Sequence, residues 1–256
     1  GRVLDAAKAG HAGTLDPLAT GVLPVALGEA TKTVSFLQDA EKSYSFTIKW
    51  GEERDTVDAE GKVIATSGVR PTPAAIREAC ARFTGEIEQA PPAFSAVKIG
   101  GRRAYDLARR GEAAAIPSRI VRVDRFDLTG VPDRDHASFL VACGKGTYIR
   151  SLARDLAVRL GTFGYVAVMR RERVGWMSVD QAISLEKLAE VVHSAALNQA
   201  LYPVETALAD IPALPLTEIQ AARLREGQVV QVPAAENGAV CVMAGGSLVA
   251  VAQVED

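Results

Sequence analysis

The residues that point most directly to chemistry lie in one short segment, GHAGTLDPLATGVLP, which covers residues 10–24. Asp16 is the only acid in it, and Pro17 follows directly. Proline pushes the residue before it into extended backbone, and glycines permit backbone shapes that other residues avoid. The segment therefore predicts a tight loop that presents one carboxylate. The loop pattern alone leaves open a second interpretation, a surface turn in which Asp16 bonds its own backbone.

The residues around Asp16 favour the catalytic interpretation. Leu15 and Leu18 flank it closely, and Val22 follows after a short gap. An acid in apolar surroundings is costly unless another group pairs with it or uses it. We therefore expect a partner for Asp16 elsewhere in the chain.

Two later segments predict the elements that would stand beside this loop. Residues 44–50 (YSFTIKW) alternate apolar and polar side chains, which is typical of a half-buried strand. Residues 144–150 (GKGTYIR) begin a helix, which Gly161 ends. The glycines of GKGT lack the spacing of a nucleotide-binding phosphate loop, so the sequence predicts no ATP site.

The charges are unevenly distributed. The net charge is only −2, but residues 98–125 carry eight basic side chains against three acids, and residues 145–173 carry seven against two. Guanidinium groups match phosphate oxygens well, so we expect an RNA-binding surface here. Two solvated helix faces are the alternative.

The loop segment resembles the catalytic motif of the TruB-type pseudouridine synthases, which isomerise uridine 55 in the T-loop of tRNA. The resemblance implies that Asp16 is the nucleophile. The segment KGTYIR also resembles a motif of that family, which implies that Tyr148 lies under a flipped base and that Arg150 pairs with the acid. An arginine beside a carboxylate favours its charged form, so the physical argument agrees with the resemblance.

Further residues take roles from the same resemblance. Tyr44, in KSYSF, would stack on the uracil and help to move the C5 proton, and His11 would fill space in the disrupted loop stack. Met169 stands where the family has a leucine in the uracil pocket, a departure that roughly conserves volume. Arg170 and Arg171 are candidates for phosphate contacts. The acids of the segment DTVDAEG, residues 55–61, are expected to order their loop.

The resemblance implies the pseudouridine synthase fold: a mixed, mostly antiparallel central sheet with flanking helices, plus a small C-terminal PUA-like β-barrel. The strands and helices that the patterns predict fit this α+β class. The catalytic domain is predicted over residues 1–210, and the small module over 211–256, where a proline-broken linker at 211–215 marks the boundary. A basic thumb-like insertion, about 85–116, is expected to close on the tRNA T-stem-loop. Its candidate RNA contacts are Arg102, Arg103, Arg109 and Arg110.

These inferences converge on a cofactor-free enzyme that converts uridine 55 of tRNA to pseudouridine. No metal site is expected, and the three cysteines are far apart. We expect a cytoplasmic monomer with no membrane segment, and a chain whose true N-terminus lies before Gly1. The alternatives are a tRNA-binding or tRNA-folding protein without catalysis, and a guide-dependent, dyskerin-like synthase.

Overall fold

The computed structural model describes residues 4–95, 97–110, 112, 116–191, 194–232 and 237–255. Contacts within the chain define two units. The larger comprises residues 11–25 and 38–183, and the smaller comprises the described parts of 1–10, 26–37 and 184–256. The predicted domain boundary after residue 210 stays a prediction.

The larger unit contains a seven-stranded mixed sheet, two short two-stranded sheets and helices. The strands of the chain up to residue 178 are β1 (Ala9–His11), β2 (Ala19–Gly21), β3 (Val25–Leu27), β4 (Lys42–Trp50), β5 (Glu52–Arg54), β6 (Val63–Thr66), β7 (Gly85–Gln89), β8 (Lys98–Ile99), β9 (Arg102–Arg103), β10 (Arg119–Asp133), β11 (His136–Cys143), β12 (Gly164–Val174) and β13 (Met177–Ser178). The helices of the same part are α1 (Val34–Asp39), α2 (Pro73–Ala81), α3 (Ala104–Arg109) and α4 (Ile149–Arg159), with a 3-10 turn over Gly28–Thr33 and another over Val179–Gln181.

The central sheet has the order β13-β12-β4-β11-β10-β7, and β2 adds to β12 outside this path. All of its pairings are antiparallel except that of β2 with β12. The prediction of a mixed, mostly antiparallel sheet in an α+β fold is therefore confirmed. The parallel pairing of β2 matters for function because it fastens the Asp16 loop to the sheet.

The side-chain patterns explain why these elements form. The predicted alternation of β4 places Phe46, Ile48 and Trp50 in the core, where Phe46 stacks on Phe139 of β11 at 5.3 Å between ring centroids. The helix α4 packs its apolar stripe, including the fully buried Leu152, on the same core. Alternation and helical stripe each remove one apolar face from water, which is the main stabilising contribution to such a layered fold.

Helix α2 begins where its sequence predicts. The side-chain oxygen of Thr72 accepts a hydrogen bond from the backbone N–H of Ala75 at 3.3 Å, and Pro73 occupies the first helical position. Such a cap satisfies one of the backbone N–H groups that the first turn leaves unpaired.

The smaller unit contains a three-stranded sheet of order β14-β15-β16, in which β14 and β15 are parallel. Its elements are α5 (Leu185–Val191), β14 (Ala213–Pro215), α6 (Glu218–Arg225), β15 (Gly238–Ala244) and β16 (Ser247–Val254), with 3-10 turns over Ala195–Ala200 and Val204–Leu208. These described strands do not establish a closed barrel, so the PUA-like assignment stays a prediction. In the part of the chain that the structure describes, no helix is long and apolar enough to cross a membrane.

Candidate active site

The Asp16 loop is a closely fitted structure. The backbone carbonyl of Asp16 accepts a hydrogen bond from Ala19 N at 2.9 Å, and Ala12 N donates to Pro24 O at 3.0 Å. Gly21 has a φ of +102°, and a Cβ atom there would lie 2.1 Å from the backbone oxygen of Arg171. Only glycine fits this position, because both the backbone conformation and the neighbouring strand exclude a side chain.

Asp16 is paired with Arg150 through two parallel hydrogen bonds. Arg150 Nε donates to Asp16 Oδ2 at 2.8 Å, and Arg150 Nη2 donates to Asp16 Oδ1 at 2.9 Å. The arginine side chain is only 5% exposed, whereas that of Asp16 is 26% exposed. A bidentate pair is geometrically specific, so the carboxylate is fixed in orientation while part of it stays open to solvent.

Arg150 is also held by groups from two other segments. Its Nη1 donates to the backbone oxygen of Thr56 at 3.0 Å, and its Nη2 donates to the backbone oxygen of Phe94 at 2.9 Å. A second carboxylate, Asp58, lies with Oδ2 3.6 Å from Arg150 Nη1 and is almost fully buried. The other oxygen of Asp58 accepts from Thr56 Oγ1 at 2.5 Å and from Glu60 N at 3.1 Å. Asp58 thus orders its loop, as the sequence predicts, and also contacts the arginine.

Arg171 also holds the loop, through its backbone carbonyls. Its side chain is 1% exposed, and it donates to the backbone oxygens of Val22 at 2.7 Å, Gly13 at 3.3 Å and Thr14 at 3.4 Å. In this structure the guanidinium is therefore committed to the loop rather than exposed for phosphate. Its neighbour Arg170 is exposed and lies 3.5 Å from Glu172, so the predicted phosphate contact stays a prediction for that residue.

Tyr44 lies on β4 directly opposite Arg171 on β12. Burial raises the pKa of the Tyr44 phenol, while the positive charge of Arg171 and a hydrogen bond with it act in the opposite direction. The net effect is upward. The Tyr44 phenol is therefore neutral at neutral pH. It can take part in proton transfer through a hydrogen bond of its hydroxyl group, but not as a phenolate.

Tyr148 occupies the position before the first residue of α4, two residues before Arg150 in sequence. Its backbone N–H donates to Gln89 Oε1 at 2.8 Å, and its backbone oxygen accepts from Gln89 Nε2 at 3.2 Å. The guanidinium of Arg119 lies over the Tyr148 ring, 5.1 Å from the centroid. The ring is partly exposed, as a stacking platform requires.

The other predicted site residues are distributed as follows. Met169 is buried in the core beside the loop, where it pairs with Ala19 of β2. His11 is exposed at the end of β1. In the insertion, Arg109 lies over the ring of Tyr105 at 5.0 Å.

Arg102 forms an ion pair with Glu112 at 3.3 Å, and Arg110 is exposed. The side chain of Arg103 lies outside the described residues, as do residues 96, 111 and 113–115 of the insertion. The roles of all these residues stay predictions.

Three contributions to the site were not predicted from the sequence: the contact of Asp58 with Arg150, the double hydrogen bond of Gln89, and the loop contacts of Arg171. Each joins residues at least 59 positions apart. One signal was available for Arg171, since adjacent residues of a strand face opposite sides; Arg170 and Arg171 therefore cannot both face solvent on one surface. Among the described residues no group of three or more His, Cys, Asp or Glu side chains is placed to hold a metal ion.

The fold is similar to that of Cbf5 in solved structures. The chain is similar to a structure of a Cbf5-Nop10-Gar1 complex, with a TM-score of 0.75, 25% identity, and coverage of 98% of this chain and 71% of the other. It is equally similar, at 26% identity, to a structure of the archaeal box H/ACA sRNP Nop10-Cbf5 complex.

Family models define the class. Residues 1–149 match the N-terminal domain model of the TruB family pseudouridylate synthases, and residues 150–209 match the C-terminal domain model of tRNA pseudouridylate synthase B. The matches identify a pseudouridylate synthase. Within that class, the chain belongs to the TruB family.

Curated relatives agree with this assignment. The chain is 53% identical to tRNA pseudouridine synthase B of Caulobacter vibrioides over 229 residues, which cover 90% of this chain and 74% of the relative. It is 52% identical to tRNA pseudouridine synthase B of Bradyrhizobium diazoefficiens over 262 residues, which cover 99% of this chain and 76% of the relative.

Proposed function

We propose that this chain converts uridine 55 in the T-loop of tRNA to pseudouridine, with Asp16 as the nucleophile. The proposal rests on the family and on one observation, the bidentate pair of a partly exposed Asp16 with a buried Arg150. A carboxylate that is fixed in place before the substrate binds loses little entropy when it reacts.

The reaction breaks the bond between N1 of uracil and C1′ of the ribose, turns the base, and joins C5 to C1′. C5 then loses its proton and N1 gains one, so the reaction is an isomerisation with no net redox change. Asp16 would attack C1′ or C6, or take a proton from the sugar. Tyr44, whose phenol stays neutral, is suited to relay the C5 proton through its hydroxyl group.

The uridine must leave its stack before the pocket can reach it, at a cost of a few kcal/mol. Stacking on an aromatic ring is worth roughly 1–3 kcal/mol per base in other single-strand binders. Tyr148 and Tyr44 are the aromatic side chains that would offset this cost. Tyr148 directly precedes the helix that carries Arg150. Tyr44 lies opposite Arg171, which binds the Asp16 loop.

Tritium release from a tRNA transcript labelled at uridine C5 tests the proposal. We expect release by the wild type and none by D16A. The matched control is D133A, which removes an exposed carboxylate at the β10–β11 turn and should release tritium at the wild-type rate. Full turnover by D16A would overturn the nucleophile assignment, and tRNA binding without release by the wild type would favour a non-catalytic tRNA-binding protein.

We propose that the basic insertion supplies the salt-sensitive part of the affinity for the T-stem-loop. Arg102, Arg109 and Arg110 are exposed, and all three belong to the insertion. Each phosphate contact that is removed should reduce the slope of log affinity against log salt by about 0.7 to 0.9. Replacing these arginines with glutamine and measuring tRNA affinity by filter binding at several salt concentrations gives this slope; an unchanged slope would exclude the insertion as the phosphate-binding surface.

Two finer features belong to the same proposal. Residues 211–256 would form a PUA-like module, supported by the three-stranded sheet that the described part of this segment contains. The enzyme would act as a cytoplasmic monomer on bare tRNA. Activity on a tRNA transcript with no guide RNA separates this proposal from a guide-dependent synthase.

A further inference from the structure

Tyr148 is held on two sides by residues that stand at the two roots of the basic insertion. Strand β7 ends at Gln89 and strand β10 begins at Arg119, and the segment between them carries the candidate RNA-binding arginines of the insertion. Gln89 and Arg119 are direct partners in the antiparallel pairing of these two strands. The insertion is therefore closed at its base by the same two residues that contact Tyr148.

The contact of Gln89 is with the backbone of Tyr148. Its amide oxygen accepts from Tyr148 N at 2.8 Å, and its amide nitrogen donates to Tyr148 O at 3.2 Å. The Gln89 side chain is 1% exposed, and a buried amide with both ends satisfied is rigid, because losing either bond leaves a buried polar group unpaired. The backbone of Tyr148 is thus fixed from outside its own helix, where its side chain provides no cap.

The contact of Arg119 is with the ring of Tyr148. The guanidinium lies 5.1 Å from the ring centroid and also donates to the backbone oxygen of Gly146. A cation–π contact favours the ring orientation that places the guanidinium over the ring face, and Arg119 itself stays exposed to a phosphate group.

The residues that follow Gln89 continue the connection to α4. The backbone oxygen of Ala90 accepts from Ser151 Oγ at 2.7 Å and from Arg154 Nη2 at 3.0 Å. The backbone oxygen of Phe94 accepts from Arg150 at 2.9 Å. Any displacement of the root of the insertion is therefore transmitted directly to the turn that carries Tyr148 and Arg150.

We propose that Gln89 and Arg119 are positioning residues for Tyr148, and that they connect the RNA-binding insertion to the site where the base is held. The proposal rests on the proposed function, because Tyr148 is taken as the platform for the flipped base. Binding of RNA to the insertion would stabilise the pairing of Gln89 with Arg119. These two residues would then keep the Tyr148 ring in the orientation that stacks on the base.

The test is single-turnover tritium release from labelled tRNA at saturating enzyme, with tRNA affinity measured in parallel by filter binding. Q89M keeps the size of the side chain and removes both hydrogen bonds. We expect its rate constant to fall about 10- to 100-fold, as for other misplaced catalytic groups, with tRNA affinity within about threefold of the wild type. A general loss of structure would instead lower the amplitude and the affinity together.

A double-mutant cycle shows whether the effect passes through Tyr148. In a Y148L background, which has no ring to position, Q89M should cause little further loss, since residues that act as a unit are not additive. If the two losses simply multiply, the proposal is overturned. It is also overturned if the wild type is active and Q89M has the wild-type rate constant. An inactive wild type would instead refute the proposed function itself.

R119M carries the same test on an exposed side chain whose removal does not threaten folding. Its matched control is R122M, which removes the same charge from the same strand but from a side chain paired with Asp124. Both variants should lose similar tRNA affinity through charge, and only R119M should show a lower rate constant once tRNA is bound. Equal rate constants for R119M and R122M would exclude a positioning role for Arg119.

Discussion

Replacing Arg150 with lysine should separate the charge of the buried guanidinium from its geometry. Arg150 makes four hydrogen bonds, two to Asp16, one to the Thr56 carbonyl and one to the Phe94 carbonyl. Lysine keeps the positive charge, but its three donors share a single nitrogen and cannot reproduce the planar fork. The ammonium group would stay near the Asp16 carboxylate and leave the two carbonyls without their donor.

The magnitude follows from this count of hydrogen bonds. A hydrogen bond that involves a charged group contributes roughly 1.5–3 kcal/mol, so the loss of two should cost about 3–6 kcal/mol of unfolding free energy. The carboxylate would also lose its second hydrogen bond and its fixed orientation. Misplacement of a reacting group by about 1 Å lowers rates roughly 100-fold, and we expect a decrease of this size for R150K.

Two measurements on R150K check these values: urea unfolding for stability, and single-turnover tritium release for the rate constant. R159K is the matched control, because Arg159 is exposed in the last turn of the same helix and should change neither quantity. If R150K retained the wild-type rate constant, charge alone would be sufficient and the bidentate geometry would be irrelevant. If its stability were unchanged, the carbonyl contacts would contribute nothing.

Two further predictions concern the loop and the buried thiols. G21A should lose about 2–4 kcal/mol of stability in urea unfolding and most of its activity, because its Cβ would overlap the Arg171 backbone oxygen in a strained conformation; G161A, with a positive φ but open space, should lose less, and equal losses would show that the overlap does not matter. Burial raises the pKa of the Cys80 and Cys143 thiols to about 12, so both should stay unlabelled by iodoacetamide in the native protein at pH 8. These folded-state pKa values lie above those of exposed thiols. The stability gained by burying the two neutral thiols is therefore complete below about pH 8.5 and is lost as the pH rises towards 12. Labelling of the native protein as fast as in urea would contradict the burial.

The elements of this fold were predictable wherever the signal was local. The alternation of residues 44–50 and the apolar stripe of α4 each fix one face of an element without reference to the rest of the chain. The cap at Thr72 is equally local. The order of the strands was not available from such patterns, because it depends on pairing between distant segments.

The site was predictable only as a set of residue types. Asp16 and Arg150 were identified as acid and partner, but the sequence shows no reason why Asp58 should approach the same arginine from a third segment. Arg171 illustrates the limit. Its position in a pair of arginines suggests a phosphate contact, and the pairing of β2 with β12 instead places the loop carbonyls around it.

In the proposed reaction the carboxylate of Asp16 acts as a nucleophile although it is paired with a cation, and the second carboxylate offers a physical reason why it can. A pair of Asp16 and Arg150 alone has no net formal charge, whereas the group of Asp16, Arg150 and Asp58 has a formal charge of −1. Asp58 is almost fully buried, accepts hydrogen bonds from its own loop and lies with Oδ2 3.6 Å from Arg150 Nη1. The arginine can then orient Asp16 while part of its charge is offset by the second carboxylate. D58N keeps the shape of the side chain and removes that offset of charge. It should lower the rate constant of tritium release, while tRNA affinity stays near that of the wild type. A wild-type rate constant for D58N would show that orientation of Asp16 by Arg150 is sufficient.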